Sequence, residues 1–433
     1  MVGPSMASPL FRRPVLAFAL YDWANSAFAT TVMAGFFPVF LKQYWSAGMD
    51  PTVSTFRLGV GNSIASLGIA LLAPLLGAIA DRGGARVKLL VVFTGLGVAM
   101  TAALYWVDKG NWPLAVLAYV LAAVGFQGGM TFYDSLVVDV AEPHELDRVS
   151  AFGYALGYLG GGLLFAVNVA MTLKPAAFGL ADAAQAVRIS FLSVAIWWAV
   201  FTIPLLVFVR ERRPAKPLGP LAAFRAGFGE LATTLKDIRK YRPLVLFLAA
   251  YWLYIDGVNT IIKMAVDYGL SLGFESKNLI TALLLTQFVA FPAALAFGRI
   301  GEWLGTRTGL LLGIGVYLAT TLWGYFLDTI AEFYAMAVVI GLVQGGVQSL
   351  SRSLYGRLVP PEKSGEFFGF FNMMGKFAAV FGPAIFGWVG VLTGSPRLAI
   401  MSLALLFGAG GLLLWFVRET PPASPALSQH AAE

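Results

Sequence analysis

The chain has 433 residues, 58% of them hydrophobic and 12% charged, with a mean hydropathy of +0.76 and a net charge of +7. That balance excludes a soluble globule and points to a polytopic membrane protein. The absence of cysteine excludes a disulfide framework, a thiolate metal site and a cysteine nucleophile, and two histidines, His144 and His430, leave little for metal chemistry.

Apolar stretches long enough to cross a bilayer are predicted at 15–41, 57–80, 88–107, 114–140, 149–172, 187–209, 244–266, 278–300, 308–327, 332–356, 366–392 and 397–417. The first lacks the short apolar core and small-residue cleavage site of a secretory signal, so it is read as a span behind a short tail, 1–14. Most of the 30 Lys and Arg fall on the side that holds both termini, which places those termini in the cytoplasm and the chain in the cell's inner membrane. The same asymmetry accounts for the basic balance, so no nucleic-acid partner is expected.

Span one carries ALYDWANSAFATT, with Asp22, Asn25 and Ser26 on one helical face. A carboxylate at bilayer depth faces a bundle or a wet cavity rather than lipid. The loop after span two reads GAIADRGGARVK and contains Gly77, Asp81, Arg82, Gly84 and Arg86. Its glycines suit a sharp turn against a neighbouring helix end, and Asp81 can pair with Arg82, with Arg86 or with a helix terminus of the other half, as a latch that releases between states. Span four aligns Gln127, Thr131 and Asp134 on one face. In span five Gly153, Gly157 and Gly161 form a small-residue stripe, read as a close helix approach, and Tyr158 is read as packing.

Residues 210–243 are rich in Lys and Arg and form the longest break in hydropathy. Leu221, Phe224, Phe228, Leu231, Leu235 and Ile238 recur there at helical spacing, which predicts an amphipathic helix along the inner membrane face, serving as a linker between residues 15–209 and 244–418. Span seven then aligns Asp256, Asn259, Thr260 and Lys263, and the loop GRIGEWLGTRTG after span eight holds Gly298, Glu302, Gly305 and Arg307. Span ten aligns Gln344, Gln348, Ser351 and Arg352, with snorkelling to the interface as a competing reading of Arg352. Span eleven places Asn372 and Lys376 one turn apart, and the tail 419–433 is expected to be disordered.

The second half repeats the first. Gly77, Asp81, Gly84 and Arg86 correspond to Gly298, Glu302, Gly305 and Arg307 at one constant offset, QGG recurs at 127 and 344, and Asp22-x-x-Asn25 recurs as Asp256-x-x-Asn259. Two parallel six-span repeats with function at their interface are the layout of major facilitator transporters. The expected fold is therefore an all-α membrane protein of twelve transmembrane helices in two pseudo-symmetric six-helix halves. The loop at 77–88 resembles that superfamily's motif between spans two and three. With it, YDWANSAF in span one resembles the vacuolar amino-acid effluxer family, an autophagy-related branch of the superfamily.

The resemblance implies alternating access, a cavity lined by spans one, four, seven and ten, and export of a neutral amino acid, with or without proton coupling. A monomer with a small-molecule substrate and no cofactor or metal is expected. Asp22 has two functional readings, a proton carrier or the seat of a substrate ammonium, against a structural one in which it pairs with Arg352 or a tyrosine to fix packing. Lys376 has no acid within its span, so its counter-charge is expected from the other half, with Asp22 a candidate, or from a substrate carboxylate. Asp256 is the natural partner of Lys263. Sugars, organic acids and drugs stay open as substrates, as does a non-transporting sensor on the same fold. A membrane enzyme is disfavoured, since no nucleophile has a placed histidine and no nucleotide-binding loop occurs.

Overall fold

The computed structural model describes residues 9–48, 51–212, 214, 218–236 and 242–418. The tail 419–433 and most of the tail 1–14 lie outside the described residues, as does Ile238 of the linker. With no water in the hydrocarbon to satisfy backbone groups, long helices are what this composition can form. They are α1 (Arg13–Trp45), α2 (Pro51–Gly83), α3 (Arg86–Ala103), α4 (Trp112–Ser135), α5 (Leu146–Leu173) and α6 (Ala183–Phe208). After α7 (Pro220–Lys236) come α8 (Arg242–Ser271), α9 (Ser276–Leu304), α10 (Thr306–Gly324), α11 (Ile330–Leu358) and α12 (Ser364–Thr393). The last crossing is broken into α13 (Pro396–Ser402) and α14 (Ala404–Trp415).

Among the described residues eleven helices are long and apolar enough to cross a membrane. The twelfth crossing is α10, whose 19 residues are diluted by Arg307 and by Thr306, Thr308, Thr320 and Thr321. Leu71, Val92, Ile203 and Leu405 stand exposed on the outside of the bundle, and Trp106, Trp303, Trp388 and Trp415 are exposed toward helix ends, where indoles form interfacial belts. Pro74, Pro204, Pro292 and Pro383 sit inside helices, which neighbouring helices and side chains make tolerable in a bundle. The C-terminal part of α1 is unusual. Phe28–Phe36 and Leu41–Trp45 are wound as π-helix around one α-turn, Phe37–Phe40.

The two repeated loops are the two sharpest turns at one end of the bundle. Gly84 (φ +58°) and Gly305 (φ +86°) adopt backbone conformations that favour glycine, so α2 reverses into α3 and α9 into α10 within a residue or two. At this end, which α7 also occupies, the halves touch along two seams. In the first, α2 packs on α12; in the second, α5 packs on α9 and α11. Glycine makes both contacts close. A Cβ on Gly77 would lie 2.0 Å from the Gly365 carbonyl oxygen, and one on Gly298 would lie 2.7 Å from the Ala151 Cβ. The stripe Gly153, Gly157 and Gly161 seats α5 on α1, with Ser26 Oγ 2.7 Å from where a Gly157 Cβ would stand.

Gly77→Ala should therefore force α2 and α12 apart, because the obstacle is backbone and cannot rotate away. We expect a loss of about 1–3 kcal/mol, the usual cost of overpacking, read as a lowered melting temperature. Gly95→Ala, where no atom lies within 4 Å of the added carbon, should leave stability unchanged or slightly raised. Equal behaviour of the two variants would mean that the first seam is not tight.

Candidate functional site

The buried charges converge where the halves meet. Arg352 projects from α11 and is fully buried, not snorkelled to the surface. Its Nε donates to Ser150 Oγ at 2.9 Å and its Nη2 to the Ser150 carbonyl at 2.9 Å, both on α5. Nη1 donates to Asp134 Oδ1 of α4 at 3.2 Å and reaches Asp22 Oδ2 of α1 at 3.4 Å. The Tyr154 ring lies 4.4 Å from the guanidinium carbon, with Phe18 and Tyr133 at 5.3 and 5.4 Å. A fork with five donors is the one side chain that can bind two acids, a hydroxyl and a carbonyl together.

The acids are held from both sides. Tyr133 donates to Asp22 Oδ2 at 2.7 Å, and Asn372 of α12 donates to Asp134 Oδ2 at 3.0 Å. Burial aside, the charge that acts on Lys376 is that of Asp134. Lys376 thus feels the charge of an acid of the other half, Asp134, while Asp22, the other candidate, is engaged by Arg352 and Tyr133. Asp22 and Asp134 from the first half, Arg352 and Lys376 from the second, make two acids and two bases across one interface. On the same seam the Tyr158 hydroxyl donates to Gln348 Oε1 at 2.6 Å and accepts from Gln344 Nε2 at 3.2 Å. Tyr158 therefore bridges the halves rather than serving as packing alone.

Other predicted residues stay within their own half. Asn25 donates toward Met130 Sδ at 3.3 Å, and Gln127 donates to Ser66 Oγ at 3.2 Å. Asp256, 2% exposed, accepts the Gly382 amide at 2.8 Å, with the Thr260 hydroxyl alongside. Asn259 is half-buried, and Lys263 is exposed and feels the charge of Asp256. Asp256 thus ties α8 to α12, with Lys263 two turns further along α8.

The loop residues divide in ways the repeat did not indicate. Asp81 accepts the backbone amides of Gly365 and Glu366 at 3.0 and 2.9 Å, so it caps the start of α12, and Arg86 lies 3.6 Å away. Arg86, 2% exposed, is bound mainly by Asp139 at 2.9 Å. Arg82 turns away from Asp81 and pairs with Glu230 of α7. In the second loop Glu302 pairs with Arg148 at 3.5 Å, while Arg307 donates to the carbonyls of Trp415 and Val417 at 3.2 and 3.0 Å. Arg307 ties down the end of α14 and does not repeat the part of Arg86.

Linker helix α7 is placed by two opposite faces. Leu221, Phe224 and Phe228 are exposed, whereas Ala223, Gly227, Glu230 and Thr234 turn inward, with a Gly227 Cβ position 2.7 Å from Ile79. Glu230 binds Arg82 of the first half and Lys363 of the second. Its pairing was not legible, because a lone Glu in a basic linker reads as solvated. Burial alone would raise this carboxyl, but hydrogen bonds from Lys363 and Arg82 outweigh it and hold it below the usual glutamate range.

A carboxyl depressed in the folded state contributes above its ordinary range and is lost only as pH falls through the depressed value. Hydrogen-exchange protection of α7, corrected for intrinsic rates, should therefore be level from neutrality down to about pH 5, above the ordinary glutamate value near 4.3. Loosening of α7 between pH 7 and 5 would contradict the assignment.

A family model described as vacuole effluxer Atg22 like matches residues 47–144 and 137–421. The chain is 39% identical over 411 residues to YxiO, an uncharacterised MFS-type transporter of Bacillus subtilis, spanning 94% of this chain and 96% of that one. It is 24% identical over 536 residues to autophagy-related protein 22 of Gibberella zeae, spanning 95% and 80%. Among solved structures, the human organic anion transporter MFSD10 superposes with a TM-score of 0.72 at 16% identity, over 93% of this chain and 99% of that one. The proton:xylose symporter XylE superposes with a TM-score of 0.69 at 16% identity, over 94% and 95%. At such identities the two structures establish the major facilitator fold alone.

Proposed function

Since this chain belongs to the vacuole effluxer Atg22-like family and is a multi-pass transporter of the major facilitator type, we propose that it exports a small zwitterion, foremost a neutral amino acid, by alternating access. In this reading both termini and α7 lie in the cytoplasm, and the structure is the outward-facing state with its cytoplasmic end closed. The observation that carries the reading is the seat of Arg352. A cation of the second half is held by acids of the first, so the pairs must part whenever the halves separate, and opening at one end is tied to events in the middle of the bundle.

The site suits a zwitterion because it offers both signs of charge, the acids Asp22 and Asp134 from the first half and Arg352, Lys376 and Asp256 from the second. Asp22 is engaged by Arg352 and Tyr133, which leaves Asp256, beside Lys263, as the better seat for an ammonium. Lys376 receives the carboxylate in exchange for Asp134. A proton on Asp134 would weaken its hold on Arg352 and Lys376, which is how a gradient would enter the cycle.

Purified protein should be tested for thermal stabilisation by amino acids, sugars, organic acids and amines, because a ligand that binds only the folded state raises stability. Neutral amino acids should shift the melting point in a concentration-dependent way, and their decarboxylated amines should not. Stabilisation by a sugar or an organic anion instead would replace the substrate class and leave the transport reading intact.

A further inference from the structure

The second seam is held by an acid whose position in a charged loop gives it no distinguishing pattern in the sequence. Asp147, the second residue of α5, is 0% exposed. Three side chains of the second half converge on its carboxylate. Thr306, at the start of α10, contacts Oδ2 at 2.8 Å and Oδ1 at 3.1 Å; Arg357 of α11 donates to Oδ2 at 2.8 Å; and the Ser353 hydroxyl donates to Oδ1. Gly301 leaves room for it, since a Cβ there would stand 3.0 Å from Oδ2. Arg148 pairs with Glu302 beside it, and Ser150 donates to the Ser349 carbonyl at 2.8 Å one turn on.

We propose that Asp147 is a positioning residue for transport, the group whose bonds to Thr306, Ser353 and Arg357 set how readily the second seam opens. The proposal rests on the alternating-access reading of the fold. Its logic is that of differential contact: a group biases a two-state element only through interactions present in one state. In the closed seam Asp147 has three donors from the opposite half, and separation of α5 from α10 and α11 removes all three. In the other half the acid in the first turn of α12 is Glu366, which faces α7 instead. The two seams are thus closed by different means. The first uses the Asp81 cap with α7 across it, and the second uses Asp147.

The chain contains no cysteine, so paired spin labels can be placed without background. His144→Cys and Arg299→Cys are exposed positions flanking the second seam, and the distance between them reports its width without any substrate. Wild type should show mainly the short distance. Asp147→Asn and Arg357→Gln should each raise the ratio of long to short distances on the order of tenfold, the change expected from losing one charge-assisted bond worth roughly 1.4 kcal/mol. Asp147→Glu should restore much of the short population, which a purely structural defect would not predict.

Thr306→Val, which keeps the size of the side chain, should give a smaller shift in the same direction and covers the case in which the charge variants do not fold. An unchanged distance distribution in folded Asp147→Asn, or in Thr306→Val should neither charge variant fold, would overturn the proposal. Because no substrate enters the measurement, that failure is distinct from a wrong substrate class.

Discussion

Arg352→Gln is expected to lower the stability of the closed state by about 3–5 kcal/mol, the usual consequence of stranding buried charge by removing its partner. The variant leaves Asp22 and Asp134, 4% and 3% exposed, with no cation between them. The penalty should belong to the acids rather than to the missing side chain. Adding Asp22→Asn or Asp134→Asn to Arg352→Gln should therefore recover stability, a non-additivity that a double-mutant cycle of melting curves would measure. Arg352→Lys should fall between, because an ammonium cannot reach Ser150 and both acids from one position. Strictly additive losses would mean that the three groups are not coupled.

Lys376→Gln is expected to weaken binding of a neutral amino acid by roughly 10- to 100-fold, in line with loss of a charge-assisted hydrogen bond and the affinity scale. The effect should be specific to the carboxylate. Amines lacking that group should bind wild type poorly and should not be weakened further in the variant. Isothermal titration of the two ligand series against the two proteins separates the outcomes. Equal affinity of wild type for an amino acid and its amine would remove the zwitterion model and reopen sugars and drugs.

The architecture was legible because membrane spans and repeats are properties of long stretches. Twenty-residue apolar runs, the paired loops at Gly77 and Gly298 and the repeated QGG each draw on many residues, and chance does not easily imitate them. The one span that falls short of the others in apolar character is α10, where Arg307 and four threonines dilute the stretch. The acids of the site were legible singly, since a carboxylate such as Asp22 within an apolar run is conspicuous.

Pairing was harder to read. Arg352 lies 330 residues from Asp22, and nothing local distinguishes Asp22 from Asp134 as the acid whose charge reaches Lys376. Asp147 was missed for a related reason: in EPHELDRVS it reads as one more charge in a loop, and its donors at 306, 353 and 357 are gathered only by closure of the halves. Arg86 and Arg307 show the limit of internal symmetry. They occupy the same place in the repeat, but Asp139 stands near one and the end of α14 near the other.

The most direct measurement is counterflow in proteoliposomes containing only the purified protein. Vesicles loaded with an unlabelled neutral amino acid should take up the labelled one transiently and well above unloaded vesicles, and Arg352→Gln should abolish that exchange. Absence of amino-acid counterflow from protein that does exchange a sugar or an organic anion would contradict the account.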